Sequence, residues 1–349
     1  MPRQMGELRR LNLEWNDLVT IARDRGMRRV QSQDNNLHWY RLATRAHFQM
    51  SRTEARDRVR SLRTSIAPFF APNASNVQGL DTFGVEIEMH MPRGVNAHDI
   101  AQAIRDAGVL CQVEVYGHVT RTHWKIVTDG SLGYSTGREV VSPPLSGEAG
   151  LDQVRKVCRV LTAKGCKVKL DCGLHVHIGA QNHQDIGWFK NMLEMTSHFE
   201  NEIDSFMAPS RRRGGQHANS WCQSVMIRRA DFDAAQNLAQ LSAACGQPTQ
   251  HGARSHYRYR KLNLLSFIQS GTIEFRQHQG TVEALKTEMW VRFLLRMSTK
   301  AAAIGVETLR QSLAVMHRSL EALLSFLDCS LAERNYFLER RNYFLTRAV

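Results

Sequence analysis

The sequence predicts an α+β protein, with a curved and mainly antiparallel β-sheet backed by helices. Several short segments alternate strictly between apolar and polar residues, which is the pattern of a half-buried strand. Longer segments with helical periodicity lie between these strands, and helices are predicted to dominate from Val282 to the C-terminus. Because the strands share one apolar face, that face must be covered, and the predicted helices are the elements that can cover it.

The first 66 residues are predicted to form a basic helical appendage. The segment "SRTEARDRVRSLRTSI" begins with a capping box of Ser51 and Glu54 and continues with alternating charges. The following segment, 67–81, contains prolines, asparagines and a glycine, so we expect a linker there. The appendage would then join a larger domain through a short irregular connection.

The larger domain is predicted over 82–304, where strands and helices alternate. Its strands are expected at 82–91, 109–118, 123–131, 138–145, 173–179, 261–267 and 271–279. Its helices are expected at 97–108, 148–164, 184–207 and 231–246. The last two strands are predicted to pair through a turn at Gln269–Gly271.

The remaining segment, 305–349, is predicted to form helices that pack on this domain. The sequence "RNYFL" occurs at 334–338 and again at 341–345. Because the offset is seven residues, both copies fall on one helical face. We interpret this face as a packing or self-association stripe.

Charge and cysteine use narrow the class of protein. The formal net charge is +13, which favours anionic partners such as nucleotides, nucleic acid or acidic polymers, although a basic balance can equally serve solubility. The seven cysteines are scattered, with no CxxC pair, which is typical of a reducing compartment. No apolar run approaches the roughly 18 residues that span a bilayer, and "MPRQMGELRRLNLEW" lacks a signal-peptide core. We therefore expect a cytoplasmic protein with no membrane partner.

Four predicted strands carry ionisable side chains on one face. In "FGVEIEMH" the apolar residues alternate with Glu86, Glu88 and His90, and in "GLHVHIG" they alternate with His175 and His177. Each strand alone has an ordinary explanation, such as a solvated edge or a buried structural histidine. Two glycines flank the histidines, which allows another backbone or a ligand to approach closely.

Two further strands extend this polar face. "REVVSPP" contributes Glu139, and "TIEFRQH" contributes Glu274, Arg276 and His278 opposite its apolar residues. Like charges aligned across neighbouring strands destabilise a sheet. The combination therefore predicts divalent cations that offset the repulsion between the carboxylates.

The ligand types indicate which cations these are. Mg²⁺ and Mn²⁺ take carboxylate oxygens first and tolerate a histidine. Residues i and i+2 of a strand are roughly 6.5 Å apart, and paired metals sit about 3.5–4 Å apart, so Glu86 and Glu88 could each hold a different ion. Zinc is the weaker choice because there is no HExxH motif and no Cys/His quartet.

The ordered motifs resemble the glutamine synthetase / glutamate–cysteine ligase superfamily. "FGVEIE", "CGLHVHIG" and "GTIEFR" carry this resemblance. More narrowly, "DGS" with "REVVSPPL", "PSRRR" with "NSWC", and "YRKLNLLSF" resemble the amidoligase family of carboxylate–amine ligases. The resemblance covers roughly 82–300. It implies that 82–304 is an amidoligase-like catalytic domain whose sheet is of the glutamine synthetase catalytic type.

This resemblance also implies two metal sites. The ligands of the metal that holds the terminal phosphates of the nucleotide would be Glu86, His175 and Glu274. The ligands of the second metal, nearer the substrate carboxylate, would be Glu88 and Glu139. The sequence shows no obvious third carboxylate for the second metal, and water, Asp129 or the substrate itself are the alternatives.

Further residues receive roles from the same resemblance. Arg276 would stabilise charge on the transferred phosphoryl group, and His177 would contact substrate or phosphate. Arg211 and Asn263 are candidates for phosphate or substrate contacts. Glu139 or another carboxylate would act as the general base for the incoming amine.

The implied activity is an ATP-dependent carboxylate–amine ligase that forms a peptide or isopeptide bond. A carboxylate would attack the γ-phosphate of ATP, and an amine would then displace phosphate from the acyl phosphate. The implied cofactors are ATP with Mg²⁺ or Mn²⁺. The expected partners are a small-molecule or peptide carboxylate and an amine, and the large enzymes of this superfamily suggest a homo-oligomer.

Two alternatives remain open at this point. A phosphotransferase of the guanidino-kinase type would use a related metal-lined sheet and release a stable phosphorylated product. A nucleic-acid-binding or nucleic-acid-processing protein would instead use the basic N-terminal region, "SRRRGG" and "HYRYRK", where basic and aromatic residues interleave. In a combination of these ideas, the basic appendage would bring a ligase to an acidic macromolecule.

Overall fold

A computed structural model describes residues 44–45, 49–58, 81–117, 119–132, 135–183, 185–215, 220–253 and 255–346. The chain divides into two compact units, Met1–Asn73 and Ala74–Val349. Across these described ranges, no helix is both long enough and apolar enough to cross a membrane.

In the first unit, a short helix is described at 52–58. The predicted capping box begins it, since the Ser51 backbone N–H donates to Glu54 Oε2 at 2.9 Å and the Glu54 N–H donates to Ser51 Oγ at 3.3 Å. The rest of the predicted appendage, and the predicted linker up to residue 80, lie outside the described residues.

The second unit contains a seven-stranded sheet in the order β2-β3-β4-β1-β5-β7-β6. The strands are β1 Phe83–His90, β2 Cys111–Val113, β3 Trp124–Val127, β4 Gly137–Val141, β5 Gly173–Gly179, β6 Leu262–Asn263 and β7 Thr272–Gln279. Neighbouring strands pair antiparallel except β2 and β3, which pair parallel. With the helices below, this confirms the α+β prediction.

Helices separate and follow these strands. They are α1 Ala97–Asp106, α2 Gly147–Ala163, α3 Ile186–His198, α4 Glu200–Ser205, α5 Arg229–Ala234, α6 Leu238–Ala244, α7 Ser266–Ser270, α8 Ala284–Ala303, α9 Val306–Val315, α10 Leu320–Phe326 and α11 Leu331–Leu345. Single-turn 3₁₀ helices also occur at Pro209–Arg211, Thr249–His251 and His256–Arg258.

Several predicted elements are shorter or more broken than the patterns indicated, and the strands expected over 109–118 and 123–131 are only Cys111–Val113 and Trp124–Val127. The helix expected over 231–246 is two helices, because the Asn237 side chain accepts from the Gln240 N–H and begins α6 afresh. The helix expected over 184–207 is interrupted at Phe199. The strand expected over 261–267 is only two residues long, because Asn263 Oδ1 accepts from the Leu265 N–H and turns the chain into α7.

The hydrophobic core lies between one face of the sheet and the helices. Val85, Ile87, Leu174, Val176 and Phe275 point to this side and are at most 1% exposed. The long helix α8 packs against α2, α3 and β5. Each such apolar side chain contributes roughly 1.5–3 kcal/mol when it is fully buried. The opposite face of the sheet is therefore left to the polar side chains.

The C-terminal helix α11 carries both copies of the repeated pentapeptide. Phe337, from the first copy, is buried and its ring lies 4.8 Å from that of Phe206 and 5.2 Å from that of Phe293. Phe344, from the second copy, lies under the guanidinium groups of Arg212 and Arg340 at 4.9 and 5.3 Å. Both copies thus pack against the rest of this unit.

Candidate active site

A cavity of about 600 Å³ lies over the polar face of the sheet. Its walls include every site residue that the sequence predicted: Glu86, Glu88, Glu139, His175, His177, Arg211, Asn263, Glu274 and Arg276. Segments up to 190 residues apart in the chain (Glu86 and Arg276) supply these side chains. The alternation of the strands therefore identified the face correctly.

The strand register explains why these side chains meet. Glu86 on β1 is opposite His175 on β5, and Glu88 on β1 is opposite Glu139 on β4. On the other side of β5, His177 is opposite Glu274 on β7. Directly opposed residues on one sheet face have Cβ atoms about 4.5–5.5 Å apart. The antiparallel order β4-β1-β5-β7 thus places the ionisable groups of four strands side by side.

Imidazoles and carboxylates alternate in the part of the site between β1, β5 and β7, which we call the mixed set: Glu86, His175, His177 and Glu274. His175 Nδ1 lies 3.3 Å from Glu86 Oε2 and 3.5 Å from Glu274 Oε1. His177 Nε2 lies 3.3 Å from Glu86 Oε1. Glu86, His177 and Glu274 can each offer a ligand atom within 4.8 Å of the others, as can Glu86, Glu139 and His175.

Only carboxylates form the part of the site between β1, β4 and the loop after β3, which we call the carboxylate set: Glu88, Asp129 and Glu139. One oxygen from each lies within 4.8 Å of the others. Asp129 is thus the third carboxylate that the strand patterns did not supply. The sequence named Asp129 as one of three alternatives for this position and placed it in the strand expected over 123–131, whereas it lies in the loop after β3.

The carboxylate set is electrostatically unbalanced. Burial, followed by the charges of Glu86, Glu88 and Asp129, raises the pKa of Glu139 well above its ordinary value. These neighbours all carry the same sign of charge, so the ionised form of Glu139 is disfavoured. A divalent cation would remove this repulsion, and the all-oxygen donors suit Mg²⁺ or Mn²⁺.

The mixed set is balanced by its own cations. Burial opposes the ionisation of Glu86, but His177 and His175 outweigh it and hold its pKa well below the ordinary value. Burial likewise opposes the ionisation of Glu274, and Arg276 together with both histidines lowers its pKa. In return, although burial works against the charged imidazole, Glu86 raises the pKa of His177.

Glu274 is held by two neighbours from different strands. Arg276 Nη1 donates to Glu274 Oε1 at 2.5 Å, and Asn263 Nδ2 donates to Glu274 Oε2 at 2.7 Å. Asn263 therefore orients a carboxylate of the site, and its Oδ1 is occupied by the Leu265 N–H. Burial disfavours the charged form of Arg276, but Glu274, Glu88 and Glu86 raise its pKa, so this guanidinium remains charged beside the cavity.

Arg211 reaches the cavity from the 3₁₀ turn after α4. It is 4% exposed, and its Nη2 donates to the Cys172 carbonyl oxygen at 2.7 Å. Its Nε atom is buried with no hydrogen-bond partner. The positive charge of Arg211 therefore lies at the wall of the cavity, where it would favour an anionic ligand.

One prediction about the polar face is wrong. His278 does not join Glu274 and Arg276, because the pairing of β7 with β5 shifts by one residue opposite His175. This bulge turns His278 to the helix side, where it pairs with Leu174 and its ring lies 5.8 Å from that of Trp290. Burial, followed by the charge of Arg340, lowers the pKa of His278 well below its ordinary value.

Other cavity residues were not singled out from the sequence. Thr272 Oγ1 lies 2.8 Å from His177 Nδ1 and fixes the orientation of that ring. Lys125 Nζ donates to the carbonyl oxygens of Gly117 and Val119 at 2.7 and 3.0 Å, which holds the loop between β2 and β3 at the cavity wall. These contacts depend on the conformation of loops, which local sequence patterns do not predict.

The comparisons with known proteins agree with the resemblance of the motifs. The profile of a family described as "Putative amidoligase enzyme" matches residues 81–298. This is more than half of the chain, and the protein belongs to that family.

A solved structure described as "Crystal structure of novel glutamine synthase homolog" is 11% identical in sequence, with a TM-score of 0.38. The match covers 82% of this chain and 70% of that chain. No curated protein matches the chain.

Proposed function

We propose that this amidoligase-family protein is an ATP-dependent carboxylate–amine ligase that forms an amide bond through an acyl phosphate. The observation that carries the proposal is the meeting of two donor sets and one charged arginine on the floor of a single cavity. A cavity of about 600 Å³ is within the usual size range of small-molecule and cofactor sites. Family membership supports the ligase class.

Both donor sets fit divalent metal ions. The mixed set offers two carboxylates and two imidazoles, and the carboxylate set offers three carboxylates with mutual repulsion that a cation would relieve. We assign Glu86, His175 and Glu274 to one Mg²⁺ or Mn²⁺ ion, and Glu88, Glu139 and Asp129 to the other. Bound there, the ions would neutralise phosphate charge on ATP and orient its terminal phosphate.

The chain's own groups supply the remaining electrostatic stabilisation. Phosphoryl transfer is catalysed mainly by positioning and by neutralising charge on the equatorial oxygens. We assign the second task to Arg276, whose guanidinium is fixed by Glu274. We assign to His177 a contact with the phosphate or the substrate, and Thr272 would orient the ring for that contact.

Substrate binding and proton transfer need further groups at the cavity. Arg211, whose guanidinium lies at the wall of the cavity, would hold a phosphate or a carboxylate. Asn263 would act by holding Glu274 in place. Glu139 offers a ligand atom close to Glu86 and His175 as well as to Glu88 and Asp129, and we assign to it the proton of the incoming amine.

The activity is tested by incubating the protein with ATP, Mg²⁺ and a pool of amino acids and amines. We expect ADP and phosphate in equal amounts, together with a condensation product that mass spectrometry identifies. Glu274→Gln and His175→Ala should abolish metal-dependent ADP release, while circular dichroism shows a retained fold. Glu321→Gln is the matched control, because Glu321 pairs with Arg341 on the surface helices.

The alternatives give different results in the same assay. A stable phosphorylated product without an amide would replace the ligase with a phosphotransferase. Salt-sensitive retention of nucleic acid, with no ATP turnover, would instead favour the nucleic-acid-binding function. Full turnover in both Glu274→Gln and His175→Ala would contradict the site assignment.

A further inference from the structure

A group of potential ligands lies at the edge of the cavity, beyond the two donor sets. It consists of His90 at the end of β1 and of Asp171 and Cys172 just before β5. His90 Nε2 lies 3.1 Å from each carboxylate oxygen of Asp171, and Cys172 Sγ lies 3.4 Å from Asp171 Oδ1. One ligand atom from each residue lies within 4.8 Å of the others.

Contacts of the surrounding structure fix the backbone at His90 and at Cys172. A backbone bridge between His90 and Lys167 holds the end of β1 against the segment that leads to β5. The Cys172 carbonyl oxygen accepts from the Gly280 N–H at 2.9 Å and from Arg211 Nη2 at 2.7 Å. A Cβ atom on Gly280 would lie 2.5 Å from Cys172 Cβ, so the absence of a side chain there lets β7 pack directly on Cys172.

The distances match the edges of a tetrahedral zinc site. Zinc binds nitrogen and oxygen at about 2.0–2.1 Å and sulfur at about 2.3 Å, which places neighbouring N and O ligands about 3.3 Å apart and S and O ligands about 3.5 Å apart. The corresponding distances here are 3.1 and 3.4 Å. These are two of the three edges between the ligands, and the third, between His90 and Cys172, is within 4.8 Å.

A contact outside the group orients the imidazole as zinc ligands usually require. His90 Nδ1 lies 3.4 Å from Thr136 Oγ1, which leaves Nε2 to face Asp171 and Cys172. His90 and Cys172 are 4% and 1% exposed, whereas Asp171 lines the cavity. The group is therefore open on one side, where a water molecule could supply the fourth ligand.

We propose that His90, Asp171 and Cys172 bind one Zn²⁺ ion at the edge of the sheet. The nitrogen, oxygen and sulfur ligands of this group favour zinc over Mg²⁺. The oxygen-rich donor sets of the active site would instead bind Mg²⁺. On binding, the Cys172 thiol loses its proton to solvent and the thiolate becomes a ligand, so one proton is released per zinc. The ion would cross-link the end of β1 to the start of β5, beneath the contact between Cys172 and Arg211.

Cobalt titration tests this site directly, because only a thiolate ligand produces an intense near-ultraviolet charge-transfer band with Co²⁺. Cys172 is the one cysteine within any candidate ligand group of the described residues. With Mg²⁺ in large excess to fill the oxygen sites, we expect the band to saturate at one cobalt per chain and to disappear when zinc is added. A wild-type protein that develops no such band would overturn the proposal.

Two variants and one matched control locate the ligands. Cys172→Ser should abolish the band, and His90→Gln should weaken cobalt binding by at least tenfold. Cys166→Ser makes the same change at another buried cysteine and should keep the full band. A band that survives in Cys172→Ser would also overturn the proposal. If that variant fails to fold, the titration of the wild-type protein still tests whether a thiolate binds the metal.

Glu139→Gln separates this site from the active site. It should lose ADP formation yet keep the cobalt band, because Glu139 belongs only to the other ligand groups. Loss of the band in Glu139→Gln would show that the thiolate signal depends on the active-site carboxylates, and would contradict an independent zinc site.

Discussion

The mixed set and the carboxylate set share one sheet face, yet the charges that surround their buried carboxylates differ. In the mixed set, histidines and Arg276 lower the pKa of Glu86 and Glu274 despite their burial. In the carboxylate set, burial and like charges raise the pKa of Glu139. The charges of the mixed set are therefore compensated within the chain, whereas Glu139 in the carboxylate set has like charges as its nearest neighbours, which is why we propose a cation there.

The largest expected effect concerns Arg276, the positive charge that the chain itself supplies to the site. Arg276→Gln should reduce the rate of ADP formation by about 10³-fold, in the range seen when a transition-state arginine is lost from a phosphoryl-transfer site. The same change would leave Glu274 without its closest positive partner. Steady-state ADP release measures the effect.

Arg341→Gln is the control for this change, because Arg341 forms an ion pair with Glu321 on the surface helices. It should leave turnover unchanged. A rate for Arg276→Gln within threefold of wild type would remove Arg276 from the chemistry.

The second effect concerns the divalent cation that we propose for the carboxylate set. Saturating Mn²⁺ should raise the melting temperature of the wild-type protein by about 5–10 °C, the shift expected for a ligand at about 100 times its Kd. Asp129→Asn should lose the part of this shift that comes from the carboxylate set, because Asp129 is a member of that set. Asp152→Asn removes an exposed carboxylate of α2 and should keep it. Equal shifts in both variants would contradict the assignment.

A smaller effect is expected from the residue that orients one imidazole of the mixed set. Thr272→Val removes the hydroxyl 2.8 Å from His177 Nδ1 while it preserves the shape of the side chain. Loss of such an orienting contact typically costs 10–100-fold, and we expect about tenfold in kcat/KM. Thr272→Ser, which keeps the hydroxyl, should restore most of the activity. If Thr272→Ser is as impaired as Thr272→Val, the hydroxyl is not the cause.

The smallest expected effect is a change in melting temperature whose sign differs between a variant of the carboxylate set and a variant of the mixed set. In metal-free protein, Glu139→Gln removes like-charge repulsion and should raise the melting temperature by about 2–4 °C, which corresponds to about 1 kcal/mol. Glu274→Gln removes a carboxylate that Arg276 and the histidines stabilise, so it should lower the melting temperature. Thermal unfolding in the presence of a chelator measures both. Shifts in the same direction would show that the two sets do not differ electrostatically.

The sequence predicted which side chains meet on the polar face better than it predicted the elements around them. Alternation within a strand determines which side chains share a face, and this was enough to bring Glu86, Glu88, His175, His177 and Glu274 together. It could not place His278, because the bulge in β7 reverses the alternation and arises from pairing with β5. Register shifts of this kind depend on long-range contacts, which a single strand's sequence does not contain.

The positions of loop residues were the other feature that strand patterns did not predict. Asp129 joins the carboxylate set through the conformation of the segment after β3, where Ser131 donates to it from both its backbone N–H and its hydroxyl at 2.8 Å. The sequence offered Asp129 as one alternative beside Glu88 and Glu139, together with water and the substrate, and strand alternation could not choose between them because Asp129 lies in a loop. Helix breaks at Phe199 and Asn237 were missed because apolar periodicity continues across them.

The most direct test of the central claim is the number of divalent ions held by the two donor sets. Mn²⁺ binding should be measured by electron paramagnetic resonance in the presence of a non-hydrolysable ATP analogue. Two bound ions per chain are predicted for the wild type, and one for Glu88→Gln, which removes a ligand of the carboxylate set only. No tightly bound manganese, or the same number in Glu88→Gln as in the wild type, would contradict the account.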